Sequence, residues 1–172
     1  MAGVGMYKST DAGKTWEHVG LNATGTIGRV LIHPENPETV YVAASGNEWT
    51  HNESRGICQT EDGRKNWENT FYINRSVGAI DMVMDPTDDD VLYASMWNRT
   101  RKRWSDPKPR PGDGIFKTTD GGNTWRKLTE GLPEDSLTGR IGLDVARSNP
   151  NTVYAFVDNH NIDTSAKATV DS

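Results

Sequence analysis

A seven-residue pattern that occurs three times constrains this chain more than any other feature. It reads Gly, two apolar or aromatic residues, a polar residue, Ser or Thr, any residue and Asp, at Gly5–Asp11, Gly56–Asp62 and Gly114–Asp120. A Trp follows each Asp five residues later, and the three Asp residues are 51 and 58 positions apart. Self-similarity at this spacing indicates one supersecondary unit repeated along the chain.

A second pattern alternates with the first and has the character of paired strands. Its copies begin at Gly28, Gly78 and Gly139, pass an Asn-Pro or Asp-Pro turn, and end in short runs such as Val-Tyr-Val-Ala. Apolar runs of four to seven residues between Gly, Pro, Asn and Asp clusters are typical of strands. Because no segment keeps a 3.6-residue period, we predict an all-β fold of propeller blades, with residues 30–32 and 80–84 as buried inner strands.

The first Asp motif, Ser9 to Trp16, has the residue types of a tight hairpin turn. The Asp11 carboxylate can accept backbone N–H groups two or three residues on, and the Ser9 hydroxyl offers another turn bond. Gly13 allows a positive φ, and Trp16 can pack its ring over the hairpin end. The third copy has the same parts, whereas Arg64 stands at the Gly place of the middle copy and predicts a looser turn.

The pattern Ser/Thr-x-Asp-x-Gly-x-Thr-Trp resembles the Asp-box, or bacterial neuraminidase repeat. From about Gly5 to Asp158 the chain is similar to the sortilin-like and glycosyl-hydrolase-like Asp-box β-propeller proteins. The resemblance implies that each box joins the third and fourth strands of a blade, away from any active site, and that related proteins are often exported in bacteria. It implies a structural role for Ser9, Asp11, Gly13, Trp16, Thr60, Asp62, Trp67, Thr118, Asp120, Gly122 and Trp125.

That strand order predicts a single partial propeller domain over residues 1–172. Two complete four-stranded antiparallel blades, 27–73 and 78–129, are flanked by an outer half-blade at 5–20, an inner half-blade at 139–158 and a tail at 159–172. We expect a fragment of a larger protein, because Asp-box propellers usually have more blades. Half-blades expose strand edges and apolar faces, so a homodimer closing a six-bladed ring is a further expectation.

Charge and composition exclude several classes of function. The net charge is −5 and the isoelectric point is near 5.3, so we expect no nucleic-acid partner. One cysteine, Cys58, excludes an internal disulfide, and no Cys or His spacing suits a metal or cofactor, so we expect neither. No apolar run approaches the roughly 18 residues of a membrane helix, and the first residues lack the character of a secretory signal.

A ligand is expected on the face opposite the Asp-box turns, where the loops between second and third strands lie. The first loop spans 45–55, and the second, 97–113, holds six Lys or Arg and one Asp between residues 99 and 110. Trp rings can stack on sugars or peptide side chains, and Arg can pair with anionic groups. The alternative is a solvated insertion whose Trp side chains pack on the blade. The candidate ligand-binding residues are Trp49, His51, Trp97, Arg99, Arg101, Arg103 and Trp104.

The sequence of these loops does not identify a pair of catalytic carboxylates. Glycoside hydrolysis requires two carboxylates about 5 to 10 Å apart across the sugar. The candidates, which no sequence pattern pairs, are Glu48, Glu53, Asp106, Asp113, Glu134 and Asp135. We expect a carbohydrate- or peptide-binding or scaffold module of a larger sortilin-like or glycosyl-hydrolase-like protein, inactive alone. The alternative is part of a sialidase- or xyloglucanase-like hydrolase whose catalytic residues lie partly on other blades.

Overall fold

The computed structural model describes residues 3–64, 66–100 and 111–160. In these ranges the regular structure is twelve β-strands and one 3-10 turn at Asp135–Leu137, without an α-helix. Every strand pair is antiparallel, and within each sheet the strands that are consecutive in the sequence lie next to one another, which makes each sheet a meander. The meander arises because each strand is short and ends in a Gly-, Asn- or Pro-containing turn.

Two sheets are complete four-stranded blades, and two are strand pairs. Blade one consists of β3 (Ile27–Ile32), β4 (Val40–Ala44), β5 (Gly56–Thr60) and β6 (Glu68–Phe71). Blade two consists of β7 (Val77–Met84), β8 (Leu92–Asn98), β9 (Gly114–Thr118) and β10 (Arg126–Leu128). The pairs are β1 (Tyr7–Lys8) with β2 (Glu17–His18), and β11 (Thr138–Val145) with β12 (Val153–Asn159). The all-β partial propeller is thereby confirmed, and it is open.

The core lies between neighbouring sheets. The second strand of each blade has a sheet or hairpin on either side, so both of its faces are buried. In β4, Tyr41 and Ala43 pack towards blade two, while Val42 and Ala44 pack towards the β1–β2 hairpin. Strand β8 is buried along its whole length. Alternate residues of a strand point to opposite sides, so one apolar strand serves two interfaces.

Aromatic rings join the outer parts of blades one and two. Phe71 meets the Phe116 ring edge-on at 4.9 Å between centroids. It also stacks on Trp125 at 5.3 Å with an angle of 14° between the planes. The box tryptophan of blade two thus packs against the preceding blade.

Polar contacts fix the inner strands of successive sheets. The buried Ser45 hydroxyl donates to the Ala79 carbonyl (3.0 Å), and the buried Ser95 hydroxyl donates to the Ile141 carbonyl (2.9 Å). At Gly28 the backbones of β3 and β7 come so close that a Cβ on Gly28 would lie 2.1 Å from the carbonyl oxygen of Ile80. The inner strands therefore tolerate little change in their separation.

The prediction of a buried strand at residues 30–32 was partly wrong. Val30 and Ile32 are exposed, whereas Leu31 packs into the core on the other face of β3. The exposed face is turned away from blade two, towards the side where the described residues supply only the β1–β2 hairpin. Strand β7, which contains the second predicted inner strand, is largely buried between its neighbours.

Candidate functional site

Hydrogen bonds among its own residues close the first Asp-box turn, between β1 and β2. The Ser9 hydroxyl donates to the Asp11 carboxylate and accepts the Gly13 N–H, both at 2.8 Å. Asp11 also accepts the hydroxyl (2.6 Å) and the N–H (2.9 Å) of Thr15, and these bonds lead in lowering the pKa of Asp11 to about 2. The main N–H donor is Thr15, four residues on, because positive φ at Ala12 and Gly13 curls the chain back, and the Lys14 N–H, three residues on, also helps to lower this pKa.

The third turn, between β9 and β10, repeats this geometry. The Thr118 hydroxyl donates to Asp120 (2.7 Å) and accepts the Gly122 N–H (3.0 Å). Thr124 donates its hydroxyl (2.6 Å) and its N–H (2.8 Å) to Asp120, and its hydroxyl is the largest cause of a pKa of about 2. The Trp125 indole N–H donates to the Gly122 carbonyl (3.0 Å), which places the ring over the turn.

The middle turn, between β5 and β6, is built differently. Asp62 accepts the Thr60 hydroxyl (2.8 Å), the Arg64 N–H (3.0 Å) and the Asn66 side-chain amide (2.6 Å), and the Thr60 bond leads in lowering its pKa. The Trp67 indole N–H does not bond to its own turn but donates to the backbone carbonyl of Val19, the residue after β2 (2.6 Å). All three box carboxylates are thus engaged in shaping hairpins.

On the face opposite the Asp-box turns, the buried side chain of Arg55 holds the loop of residues 45–55. The Arg55 guanidinium is fully buried and donates to the carbonyls of Asn47 (2.7 Å), Thr50 (3.2 Å) and Ser76 (3.1 Å). The Asn52 side-chain amide donates to the first two of these carbonyls, both at 2.9 Å. Burial lowers the pKa of Arg55. Sequence reasoning missed Arg55 and Asn52, because no spacing marks side chains that bond to their own loop.

The loop held in this way presents Trp49 to solvent. Its side chain is 60% exposed, and its backbone N–H donates to the Asn47 side chain (2.9 Å). His51 is also exposed, and its Nδ1 lies 2.6 Å from the Ser76 hydroxyl. Two of the candidate ligand-binding residues therefore stand on one ordered loop.

Arg99 connects this loop to the corresponding loop of blade two. Its guanidinium lies 3.3 Å from the Glu48 carboxylate and 4.9 Å from the centroid of the Trp97 ring. Trp97 itself is buried, so its ring supports Arg99 rather than offering an open stacking surface. Both partners of the ion pair are largely shielded from water, which strengthens it relative to a surface pair.

The candidate carboxylates lie in different environments. Asp113 is fully buried and accepts the backbone N–H of Asn98. Asp135 pairs with a lysine of β10, whereas Glu53 and Glu134 are exposed. Arg101, Arg103, Trp104 and Asp106 lie outside the described residues.

Two further observations concern metals and membranes. Across residues 3–64, 66–100 and 111–160, no group of three or more His, Cys, Asp or Glu is arranged to hold a metal ion. Nor does this part of the chain form a helix long and apolar enough to cross a membrane.

Asp-box hairpins, blades packed face to face and a loop face opposite the boxes define an Asp-box β-propeller protein. The model of the family Sortilin-Vps10, described as "Sortilin, neurotensin receptor 3", matches residues 5–170. The chain belongs to this family.

Curated relatives and solved structures include enzymes. The chain is 26% identical over 140 residues to xyloglucanase Xgh74A of Acetivibrio thermocellus, covering 72% of the chain and 15% of the relative. It is 28% identical over 142 residues to a xyloglucanase of Paenibacillus sp., covering 73% and 12%. The chain therefore spans 12–15% of the length of these relatives.

Among solved structures, an ancestral GH74 enzyme matches with a TM-score of 0.69 at 20% identity, over 88% of this chain and 19% of that one. The GH74 enzyme of Niastella koreensis matches with a TM-score of 0.63 at 21% identity, over 91% and 25%. These likenesses show the propeller fold.

Proposed function

We propose that this propeller module binds a polysaccharide of the xyloglucan type on its loop face, as part of a larger carbohydrate-active protein. The observation that carries the proposal is Trp49, a large ring that remains 60% exposed on a loop held by a buried arginine. A flat aromatic surface with a polar edge can stack on a sugar ring and hydrogen-bond its hydroxyls. The xyloglucanases among its relatives indicate the kind of sugar to test.

Neighbouring polar groups support the same ligand class. The Glu48–Arg99 pair bridges the two loops beside Trp49, and the small part of it that remains exposed offers an acceptor and a donor to hydroxyl groups. Because Arg55 and Asn52 already hold the loop backbone, little conformational freedom is lost when a ligand binds. Preorganisation of this kind favours a binding site over a mobile insertion.

A contribution to hydrolysis is the second candidate function, favoured by the enzyme relatives. A hydrolytic pair needs two carboxylates about 5 to 10 Å apart, one on each side of the sugar bond. Glu48 is on the loop face and could supply one of them, but it is bound to Arg99. Asp113 is fully buried and bonded to a backbone N–H, so it is poorly placed to touch a sugar. Under this alternative, a further carboxylate would come from another blade of a larger propeller.

The test compares two exposed tryptophans on opposite faces. Trp49→Ala is expected to weaken xyloglucan binding at least tenfold, about 1.4 kcal/mol, in affinity electrophoresis and titration calorimetry. Trp16→Ala removes a ring that is 63% exposed on the Asp-box face and should leave binding unchanged. Equal affinities for the wild type and Trp49→Ala, or equal losses in both variants, would refute the proposal.

Hydrolysis is measured separately by the release of reducing ends. If the chain cleaves xyloglucan and Glu48→Gln abolishes cleavage while binding persists, the second candidate is correct. Binding without cleavage supports the module proposed first.

A further inference from the structure

The two loops of the loop face, 45–55 and 97–113, are each held near their start by a buried charge at an equivalent position of the repeat. Arg55 and Asp113 directly precede the glycines that begin the third strands β5 and β9, and both side chains are fully buried. Arg55 donates to two carbonyls of its own loop, at 2.7 and 3.2 Å, and Asp113 accepts the backbone N–H of Asn98. The beginning of each loop is therefore fixed on its own blade.

An ion pair joins the two loops across the junction between blades one and two. Arg99 directly follows Asn98, and its guanidinium lies 3.3 Å from the Glu48 carboxylate. The two side chains are only 20% and 14% exposed, so water and salt screen their attraction weakly. The guanidinium also lies 4.9 Å from the centroid of the Trp97 ring, a cation–π contact that limits the directions it can take. Blade two therefore holds the Glu48 side chain in one place.

Glu48 is the chain neighbour of Trp49, the exposed ring of the proposed binding site. The Asn47 side chain accepts the backbone N–H of Trp49 (2.9 Å), so this residue is held from within its own loop. The Glu48–Arg99 pair holds the same stretch of backbone from blade two. Because the ring is 60% exposed, its direction depends strongly on the backbone that carries it.

We propose that Arg99 is a positioning residue of the ligand site: from blade two, and through Glu48, it keeps Trp49 in the orientation that stacks on the sugar. The inference rests on the function proposed above, and it makes the junction of two blades, rather than the loop of residues 45–55 alone, the unit that binds. This role is separate from the donor that the small exposed part of Arg99 offers to hydroxyl groups. When the pair is lost, the ring takes several orientations, and the apparent affinity falls with the fraction of molecules in which it can stack.

Xyloglucan binding, measured by affinity electrophoresis and titration calorimetry, tests the effect on affinity. Arg99→Met keeps the length of the side chain but removes its charge, and it should weaken binding about fivefold if about one molecule in five keeps the ring in place. The matched control is Arg75→Met, which removes an exposed arginine whose carbonyl accepts the Asn52 N–H of the same loop (3.0 Å). This control should leave the affinity unchanged. Equal affinities for the wild type and Arg99→Met, or equal losses in the two variants, overturn the proposal.

Exchange of the two charges separates positioning from direct contact with the sugar. Arg99→Glu alone places two carboxylates side by side and should weaken binding more than Arg99→Met does. The double variant Glu48→Arg with Arg99→Glu restores an ion pair of reversed polarity and should recover at least half of the logarithmic loss, because residues in contact do not act additively. If Arg99 acted by touching the sugar, the exchange would not restore binding. A double variant as weak as Arg99→Glu therefore contradicts the positioning role.

Fluorine NMR of protein labelled with 5-fluorotryptophan tests the ring without a ligand. The Trp49 signal is the one missing from Trp49→Ala, and in Arg99→Met it should change its chemical shift and line width. The double exchange should return it towards the wild-type position. The signals of Trp16, Trp67 and Trp125, whose indoles are bonded on the Asp-box side, should stay in place and report an intact fold.

The ligand-free spectrum keeps this inference distinguishable from the proposed function. A Trp49 signal that is the same in the wild type and Arg99→Met means that Arg99 does not orient the ring, and it overturns the inference. A wild type that binds no xyloglucan refutes the proposed function instead, and the fluorine signal then decides by itself whether Arg99 orients Trp49.

Discussion

Gly28 is the position where the packing of blade one on blade two is most sensitive to one added atom. A Cβ on Gly28 would lie 2.1 Å from the Ile80 carbonyl oxygen and 2.7 Å from its carbon. Relief of this overlap requires β3 and β7 to separate locally by about 1 Å, since overpacked interiors respond by shifting the backbone. Both contacts are with backbone atoms, so no side-chain rotation can remove the clash.

Gly28→Ala should therefore destabilise the fold by about 3 kcal/mol. Overpacking alone costs about 1–3 kcal/mol. The separation would also stretch the buried Ser45–Ala79 hydrogen bond, worth about 1 kcal/mol. The neighbouring Arg29–Asp81 ion pair (2.9 Å) adds at most about 1 kcal/mol, because its arginine is half exposed.

Urea unfolding followed by Trp fluorescence and circular dichroism measures this loss. With a slope of about 2 kcal/mol/M, the midpoint should fall by about 1.5 M. The matched control is Gly142→Ala on β11, where a Cβ would meet only the Asp81 carboxylate at 4.0 Å. This control should be neutral or stabilise by up to about 1 kcal/mol. If the two variants unfold at the same urea concentration, the close approach at Gly28 does not determine blade packing.

Three further changes test the turns and the contacts between sheets. Ala12→Gly should raise stability by up to about 1 kcal/mol in urea unfolding, because Ala12 has φ +59 where the third box has Gly121 at +66. Ser95→Ala should lower the melting temperature, at a cost of about 1–2 kcal/mol, because it removes a buried hydrogen bond between blade two and β11. Asp11 and Asp120 have a pKa of about 2 against an ordinary 3.8, so carbon-detected NMR should show them ionised at pH 3. Because folding lowers these values, their stabilising effect is complete above about pH 4 and is lost as the pH falls towards 2.

Each of these predictions has a clear contrary result. A less stable Ala12→Gly variant would mean that alanine is not strained in the first turn. If Ser95→Ala leaves the melting temperature unchanged, apolar packing alone stabilises the interface between blade two and β11. Box carboxylates that titrate near pH 4 would show that the turn hydrogen bonds do not persist in solution.

The hairpins and the fold class were predictable because their causes are local. In the first box, the carboxylate, its hydroxyl donors and the left-handed residues lie within seven positions of one another. Such a unit forms the same turn wherever it occurs, so three copies in step with strand pairs identify propeller blades. The Thr donors at positions 15 and 124 follow from the same pattern, although only the structure revealed their role.

The candidate site depended on contacts that no local pattern contains. Glu48 and Arg99 are 51 residues apart and meet only because two blades pack side by side. The sequence places Trp49 and Trp97 in equivalent loops, yet Trp49 is exposed, whereas Trp97 lies at the end of β8 and is covered by Arg99. Which of two similar side chains remains open to a ligand is a property of the neighbouring blade.

The sequence by itself therefore determined the repeat, the strand order and the turn chemistry of this protein, since hydrogen bonds within a few residues specify them. Tertiary structure alone decided which faces are covered. It buried Arg55, which holds the loop of residues 45–55, and it left Ile32 and Phe156 exposed on the two outward faces. The physical reason is that burial depends on which sheet lies alongside, and the position of that sheet is fixed by the whole arrangement of blades.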